Sequence, residues 1–262
     1  MLQTLQRAIA DIGAAFNLKG VWMALASEDI ADSHRDTLLG RLWPLLNYLL
    51  FTGIIIVIFG RTAPGVNFMA YVAAGYLVWQ FISETLTQSA SLFIREAGFI
   101  QGTVMPISIY VLRQTMRTAI RSAYALIGAV PLILFSGIEI NAAMLSIVPA
   151  ILLLLVTAPA VAILFAFAGV FFRDFQHIVT NSMRLLMFIT PIFWVRGDGG
   201  GLRGLLYHWN PLTHYIEILR QPVVGGGVPL SSWAIVLACT AGMSVAALLL
   251  LGKFNRRIVF WL

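Results

Sequence analysis

The chain has 262 residues, of which 60% are hydrophobic and 11% charged, and its mean hydropathy is +0.88. Globular domains use about 25% charged residues, so this composition excludes an ordinary soluble domain and indicates a polytopic membrane protein. The net charge of +6 could indicate a nucleic-acid partner. The basic residues lie beside apolar runs, however, as positive-inside bias predicts, and we expect no nucleic acid. The single cysteine, Cys239, allows no disulfide framework.

The start of the chain is typical of a helix at a membrane surface. Apolar residues recur there at spacings of three and four, at Leu2, Leu5, Ile9, Ile12 and Phe16. With polar residues on the opposite face, this pattern predicts an amphipathic helix on the inner leaflet. A small cytoplasmic helix packed on a partner subunit is the alternative. A charged segment, from Glu28 to Asp36, leads to the first span.

Six stretches are apolar and long enough to approach or cross a bilayer, which needs about 20 residues. They are Trp43–Gly60, Phe68–Phe93, Ile107–Phe135, Met144–Phe172, His177–Val195 and Trp233–Gly252. Thirteen of the 17 Lys and Arg residues fall on the side of the two termini, which predicts that both termini are cytoplasmic. We therefore expect one all-α membrane domain over residues 1–262. It comprises an interfacial region at 1–42, six transmembrane helices within 43–252 and a cytoplasmic tail at 253–262.

Ionisable side chains inside the spans are candidate functional groups. Glu84 lies within the second span, and Arg113, Arg117 and Arg121 share one face of the third. Glu84 and Arg117 should lie at similar depth, so an ion pair between these helices is one interpretation. A cationic stripe that receives an anionic head group, such as a lipid phosphate, is another. A proton relay is disfavoured because arginine does not deprotonate in proteins.

Two short loops on the cytoplasmic side stand out. The segment Arg95–Pro106 predicts a mixed-charge helix of about two turns that ends before Pro106. The segment Phe172–His177 joins spans four and five. These loops are either plain turns or docking elements for a cytoplasmic subunit that supplies energy.

The stretch between Thr190 and Leu230 does not resemble an ordinary span. It contains the run Gly197–Gly201, a short segment from Leu202 to Trp209, and a second one between Pro211 and Pro222. Each piece is too short to cross a bilayer, yet the stretch is too apolar for a free loop. The pattern predicts a hairpin that dips into one membrane face, and the charge count predicts that this is the extracytoplasmic face.

The sequence carries no constellation typical of catalysis. It has no GxxxxGK[ST], HExxH or GxSxG motif, so we expect no catalytic residue, and any ATP must be hydrolysed by another chain. His214 and Glu217 are three residues apart and could form half of a metal site, but no third ligand lies near them. We expect no metal. No internal repeat supports an inverted-repeat carrier.

Four stretches together carry a family resemblance. They are His34–Pro44; Glu96–Pro106 followed by Ile109–Arg113; Phe171–Phe175 with Ile189–Trp194; and Asn210–Gly225. In this order and spacing they resemble the permease subunit of type-2 ABC exporters. Among these, the chain is most similar to the exporters of O-antigen and lipid-linked polysaccharide, the Wzm-like group. His34 departs from the pattern, since a tyrosine is expected there.

The resemblance implies a homodimer that binds two copies of a cytoplasmic ABC ATPase, which would hold Mg-ATP. The loop after span two would be a coupling helix at Arg95–Thr103. The implied coupling residues are Arg95, Glu96, Gly98, Phe99, Ile100, Gln101, Arg173 and Asp174.

The resemblance also implies extracytoplasmic gate helices, at about Leu202–Tyr207 and Thr213–Gln221. Their candidate residues are Gly197, Gly199, Gly200, Trp209, Asn210, Pro211, Tyr215, Glu217, Arg220 and Pro222. Aromatic rings that stack on sugars would line the substrate pathway together with charged groups. The candidates are Arg41, Trp43, Tyr48, Phe51, Tyr76, Trp79, Phe81, Glu84, Arg113, Arg117 and Arg121. Aromatic residues at span ends alternatively form interface belts.

The function expected from these features is ATP-driven export of an O-antigen-like, lipid-linked glycan across the bacterial inner membrane. One alternative is a permease of the same fold that exports a small hydrophobic compound or a lipid. Another is a channel or ion-coupled carrier that works without ATP.

Overall fold

The computed structural model describes residues 2–32, 37–60, 66–195, 201–255 and 257–262, apart from the side chain of Arg41. In these ranges the chain is all α. Its helices are α1 (Leu2–Asn17), α2 (Lys19–Asp32), α3 (Trp43–Phe59), α4 (Phe68–Ser89), α5 (Leu92–Arg95), α6 (Ala97–Gly102), α7 (Ser108–Phe135), α8 (Ile147–Phe171), α9 (Phe175–Ile189), α10 (Leu202–Trp209), α11 (Pro211–Val224) and α12 (Leu230–Phe254). Short 3-10 turns cover Gly40–Leu42, Ala142–Ser146 and Ile258–Phe260.

Three helices of the described chain are long and apolar enough to cross a membrane, namely α7, α8 with its preceding 3-10 turn, and α12. Helix α3 is apolar but shorter, and α1 and α2 pass the same test only as a pair bent by 69°. The prediction of a polytopic helical membrane protein therefore agrees with the structure. The count of six spans stays a prediction, although a helix occupies the position of each predicted span.

Helix α1 packs against the bundle through Ala8, Asp11, Ile12 and Ala15. Ala8 and Ala15 are fully buried, and both Asp11 carboxylate oxygens accept hydrogen bonds from the start of α7, including the backbone N–H of Ser108 at 3.0 Å. Leu2 and Ile9 are 79% and 61% exposed. An apolar stripe that faces away from the bundle is typical of a helix lying on lipid.

Helix α2 was not predicted from the sequence, which indicated only a charged approach to the first span. The structure shows a second helix that is bent by 69° from α1 and packs on α7. The indole N–H of Trp22 donates to the carbonyl of Ala15 at 3.1 Å and holds the bend closed. Ala26 and Ile30 form its buried side.

Helix α9 ends at Ile189, two residues before Pro191, because the residue before a proline is disfavoured in helical conformation. Thr190 is accordingly extended, with φ −79° and ψ 137°. The chain then forms α10, in which no residue is buried, and α11, in which Thr213 to Arg220 are all buried. Helix α11 packs against α4, α8 and α12. The predicted pair of short helices is therefore present, but its second member lies inside the bundle.

Candidate functional site

An ion pair lies at the centre of α11. Arg220 is 1% exposed and Glu217 is 3% exposed, and the Arg220 guanidinium donates to the Glu217 carboxylate and to the carbonyl of Pro191. The guanidinium also lies over the ring of Tyr71, at 3.8 Å from its centroid. Gly75 lies beside it on α4, where a Cβ atom would come within 3.2 Å of the guanidinium. Both residues were predicted at an outer gate, and the structure places them in the interior as anchors of α11.

The rest of α11 is fixed by hydrogen bonds to three neighbouring segments. Asn210 caps the helix by accepting from the backbone N–H of Leu212 at 3.0 Å, and its amide donates to Thr190 at 2.9 Å. The Tyr215 hydroxyl lies 3.0 Å from that of Thr240 on α12. Pro211 occupies the first turn, where the missing N–H of proline is least costly, and Pro222 lies within the last turn of the helix.

His214 and Glu217, considered above as two possible metal ligands, both bond to other groups in the structure. The two ring nitrogens of His214 lie 3.0 Å from Ser232 Oγ and 3.0 Å from the His208 carbonyl oxygen, and Glu217 bonds Arg220. Among the described residues, no group of three or more potential metal ligands is found.

The first arm of the hairpin is much more exposed. Trp209 is 81% exposed, and the Arg203 guanidinium lies 6.0 Å from the ring centroid of Trp194. Gly201 has a positive φ of 103°, a conformation that favours glycine. The candidates Gly197, Gly199 and Gly200 lie outside the described residues.

Aromatic rings from α3, α4, the end of α9 and the turn after it form a continuous group, which we call the aromatic row: Tyr48, Phe51, Tyr76, Phe188 and Phe193. The rings of Phe51 and Tyr76 stack with centroids 4.2 Å apart, and Phe193 lies 5.9 Å from Phe51 and 6.1 Å from Phe188. Phe188 is 67% exposed. Three members of this row were predicted from the sequence as pathway residues. Phe188 and Phe193 were not, although Phe193 lies in a segment that carried the family resemblance.

Other predicted pathway aromatics lie in the packed interior. Tyr48 is fully buried and donates to the carbonyl of Ala73 at 2.8 Å. Trp79 and Phe81 are buried in the main core. These three act as packing residues within the chain, whereas Trp43 is half-buried. The side chain of Arg41 lies outside the described residues.

Four arginines near α6 form a second group, the arginine cluster: Arg95, Arg113, Arg117 and Arg121. Arg113 donates to both Asp29 oxygens at 2.6 and 2.8 Å and to Glu96 at 3.2 Å. It therefore connects α2 to the residue that precedes α6. Asp29 was not predicted as a site residue. The signal that could have indicated it is the group of acidic residues before the first span.

Glu84 pairs with a different arginine from the one considered in the sequence analysis. Its carboxylate accepts from Arg121 at 2.8 Å, one helical turn beyond Arg117. Arg117 instead donates to the amide oxygens of Gln114 at 2.6 Å and Gln88 at 3.3 Å. Within the described ranges, Arg117 has no carboxylate within ion-pair distance, and its Nε is buried without a hydrogen-bond partner.

The predicted coupling segment forms α6, which starts at Ala97 and not at Arg95. Ile100 is buried, while Gly98, Phe99 and Gln101 are exposed, with Phe99 at 63%. Arg95 lies 3.6 Å from the Glu96 carboxylate and also donates to Gln114 at 3.1 Å. A surface with an exposed aromatic ring and a buried aliphatic anchor can dock another protein.

The second predicted docking element is the exposed turn between α8 and α9. Arg173 and Asp174 are both exposed, and Asp174 precedes α9 without a side-chain capping bond. Phe171 packs on Phe254 and Trp261 at centroid distances of 5.9 and 5.2 Å. The C-terminal 3-10 turn in turn contacts α6, so these elements lie at the same end of the bundle.

These features define the class of the molecule: a polytopic, all-helical membrane protein with a short helix buried among its spans. A model of the ABC-2 type transporter family matches residues 21–224, and the chain belongs to that family.

Curated relatives match over most of their length. The chain is 24% identical over 250 residues to an O-antigen export system permease protein, RfbA, of Klebsiella pneumoniae, covering 94% of this chain and 95% of that protein. It is 23% identical to a protein of the same name from Myxococcus xanthus, over 84% and 88% of the two chains. It is 26% identical to the polysialic acid transport protein KpsM of Escherichia coli, over 79% and 84%.

Proposed function

We propose that this chain is the membrane-spanning permease subunit of an ATP-driven exporter that moves a lipid-linked, O-antigen-like glycan across the bacterial inner membrane. The observation that carries the proposal is its similarity, over 94% of its length, to a permease named for O-antigen export. The working unit would be a homodimer with two copies of a cytoplasmic ATPase. That partner would bind Mg-ATP, since this chain has no P-loop.

The α6 end of the bundle is the proposed docking site for the ATPase. The exposed residues Phe99 and Gln101 would contact the partner, and Arg173 and Asp174 would form a second contact. Movement of α6 would reach the membrane domain through Glu96, which is hydrogen-bonded to Arg113. Charge-assisted contacts of this kind are short and directional, so they transmit displacement better than apolar packing does.

The cargo would contact two different surfaces. Arg117 is the proposed phosphate contact, because the neighbouring arginines are paired with carboxylates whereas Arg117 bonds only neutral amides. The partly exposed members of the aromatic row, Phe51, Tyr76, Phe188 and Phe193, would contact the sugars, since ring faces offer broad apolar contact without fixed hydrogen-bond geometry. A polymer held in this way can slide.

The outer gate is proposed to consist of α10 and the turn that precedes it, with α11 as a fixed support. Helix α10 has no buried residue, while α11 is bonded on several sides. Opening would then displace exposed groups such as Trp209 and leave the ion pair of Glu217 and Arg220 intact.

Export should be tested in cells that lack this chain and its ATPase and receive plasmid copies of both. With the wild-type pair, glycan should appear at the cell surface. Without this chain, or with an ATPase whose P-loop lysine is replaced, glycan should accumulate on the cytoplasmic face. Surface glycan that persists with the inactive ATPase would overturn the ATP-driven mechanism and favour a channel or ion-coupled carrier.

A permease of the same fold that exports a small hydrophobic compound or a lipid is the second candidate. A large apolar cavity beside α9 is the observation that favours it. The candidates differ in the effect of the variant Arg117→Gln. Loss of a phosphate contact should impair export of a lipid-linked glycan, whereas export of an uncharged compound should not change.

A further inference from the structure

A large cavity lies inside the protomer, between α9 and the helices α4, α8, α11 and α12. Its volume is about 770 Å³, within the range of ligand-binding pockets, about 300–1,000 Å³. Helix α9 approaches the bundle through only two buried residues, Val179 and Met183, and both line this cavity. The cavity is therefore the space that remains between α9 and the core.

The wall is almost entirely apolar, and four of its polar side chains, Thr85, Thr157, Asn210 and Tyr215, already have hydrogen-bond partners. The Thr85 hydroxyl donates to the Phe81 carbonyl at 2.8 Å, and that of Thr157 to Leu153 at 2.7 Å. Tyr215 and Asn210 also have partners, described above. A buried water needs two to four polar partners, so water is a poor occupant, and so is a sugar.

The length of the cavity corresponds to one leaflet. Its wall on α8 runs from Leu154 to Phe165, and its wall on α9 from Phe175 to Leu186. At 1.5 Å per residue, each wall is about 17 Å long. Half of the hydrocarbon thickness of a bilayer is about 15 Å.

The cavity is open to its surroundings. Ile178 is 60% exposed and Gly242 is also exposed, and both line it, so molecules around the bundle can enter. In a membrane, the available filler is hydrocarbon.

We propose that this cavity is a binding site for one long hydrocarbon chain, either the acyl chain of a membrane phospholipid or the isoprenoid chain of a lipid carrier. The chain fills the space behind α9 and contacts the first turn of α11, because Pro211 and Leu212 line the same cavity. Its occupancy therefore sets the distance between α9 and the core. This inference depends on the membrane-spanning fold and not on the exported cargo, so it stands if the proposed function fails.

Gly242 allows a direct test, because a Cβ atom added there meets nothing within 4 Å. Gly242→Leu is therefore chosen to place a larger side chain in the cavity from α12, and Ser182→Leu to place one there from the α9 side. Ala241→Leu is the matched control, since Ala241 is exposed and is not part of the cavity wall. Each variant is first checked for monodisperse elution and an unchanged melting temperature.

The full-length protein is placed in vesicles of phosphatidylethanolamine and phosphatidylglycerol that contain a phospholipid with a photoreactive acyl chain. After illumination, crosslinked peptides are identified by mass spectrometry. We expect crosslinks around Cys239 and around Met183 that fall at least five-fold in Gly242→Leu and Ser182→Leu but not in Ala241→Leu. Crosslinks at the exposed outer face of α3, near Val57, should be equal in all variants.

Competition then identifies the source of the chain. A polyprenyl phosphate that removes the cavity crosslinks at low molar ratio assigns the site to a lipid carrier. Competition only by excess phospholipid assigns it to a structural lipid. Cavity crosslinks that are absent in the wild type, unaffected by both filling variants, or directed to a second copy of the chain overturn the proposal.

Discussion

Replacing Arg220 with methionine should destabilise the protein strongly, because it leaves a carboxylate buried without its cation. Glu217 is 3% exposed and Arg220 is 1% exposed, so solvent cannot replace the lost partner. Breaking a buried ion pair by removing one member costs about 3–5 kcal/mol. The contact with Tyr71, at 3.8 Å, is part of this loss, since a desolvated cation–π contact is worth up to about 2 kcal/mol.

The free energy of unfolding should be measured by denaturant titration of the purified protein in detergent. The double variant with Glu217→Gln and Arg220→Met should recover about half of the loss or more, because no charge then remains buried. Arg203→Met is the matched control, since Arg203 is exposed on α10, and surface substitutions stay within about 0.5 kcal/mol. A loss below about 1 kcal/mol for Arg220→Met, or strict additivity in the double variant, would refute this account.

Substitutions at three other positions, Arg113, Gly169 and Phe193, give further predictions. Arg113→Gln removes charge-assisted bonds to Asp29 and Glu96, each worth about 1.5–3 kcal/mol, and should reduce export while the partner still hydrolyses ATP. Gly169→Ala should cost about 1–3 kcal/mol in thermal unfolding, because its Cβ would lie 1.9 Å from a backbone carbonyl oxygen on the neighbouring segment. Gly53→Ala, with nothing within 4 Å, is its neutral control. Phe193→Leu should lower glycan export at equal expression, and Phe193→Tyr should retain it.

Each of these expectations can fail separately. Unchanged export in Arg113→Gln would exclude this arginine as a mechanical link. Equal melting temperatures for the two glycine variants would mean that α8 can move away without cost. Equal export by the leucine and tyrosine variants at position 193 would remove the aromatic row from the pathway.

The positions of the predicted spans could be read from the sequence, because length and apolar composition decide them. Helix α2 could not, since the apolar residues between Lys19 and Asp32 do not form one clear stripe. Its packing depends on Arg113, which is 84 residues away from its partner Asp29. A long-range ion pair leaves no local signal.

The partner of Glu84 shows a second limit. Helical spacing places Arg117 and Arg121 on one face, but the offset between α4 and α7 decides which of them meets the carboxylate. That offset cannot be read from the sequence, and in the structure Glu84 pairs with Arg121. Similarly, the family resemblance placed Glu217 and Arg220 at an outer gate. Their burial depends on Tyr71 and Pro191, both distant in sequence.

The two arms of the outer hairpin differ so much in their contacts that they cannot move equally. Displacing α11 would separate its buried ion pair from Tyr71 and Pro191 and expose the continuous buried run from Thr213 to Arg220. Helix α10 has no buried residue of its own, and displacing it would break the contact between the His208 carbonyl and His214. In the proposed outer gate, the lowest-energy opening would therefore move α10 over a stationary α11. The same reasoning predicts that α9 also moves, because the proposed hydrocarbon-filled cavity separates it from the core. Pro191, which follows α9, contacts Arg220.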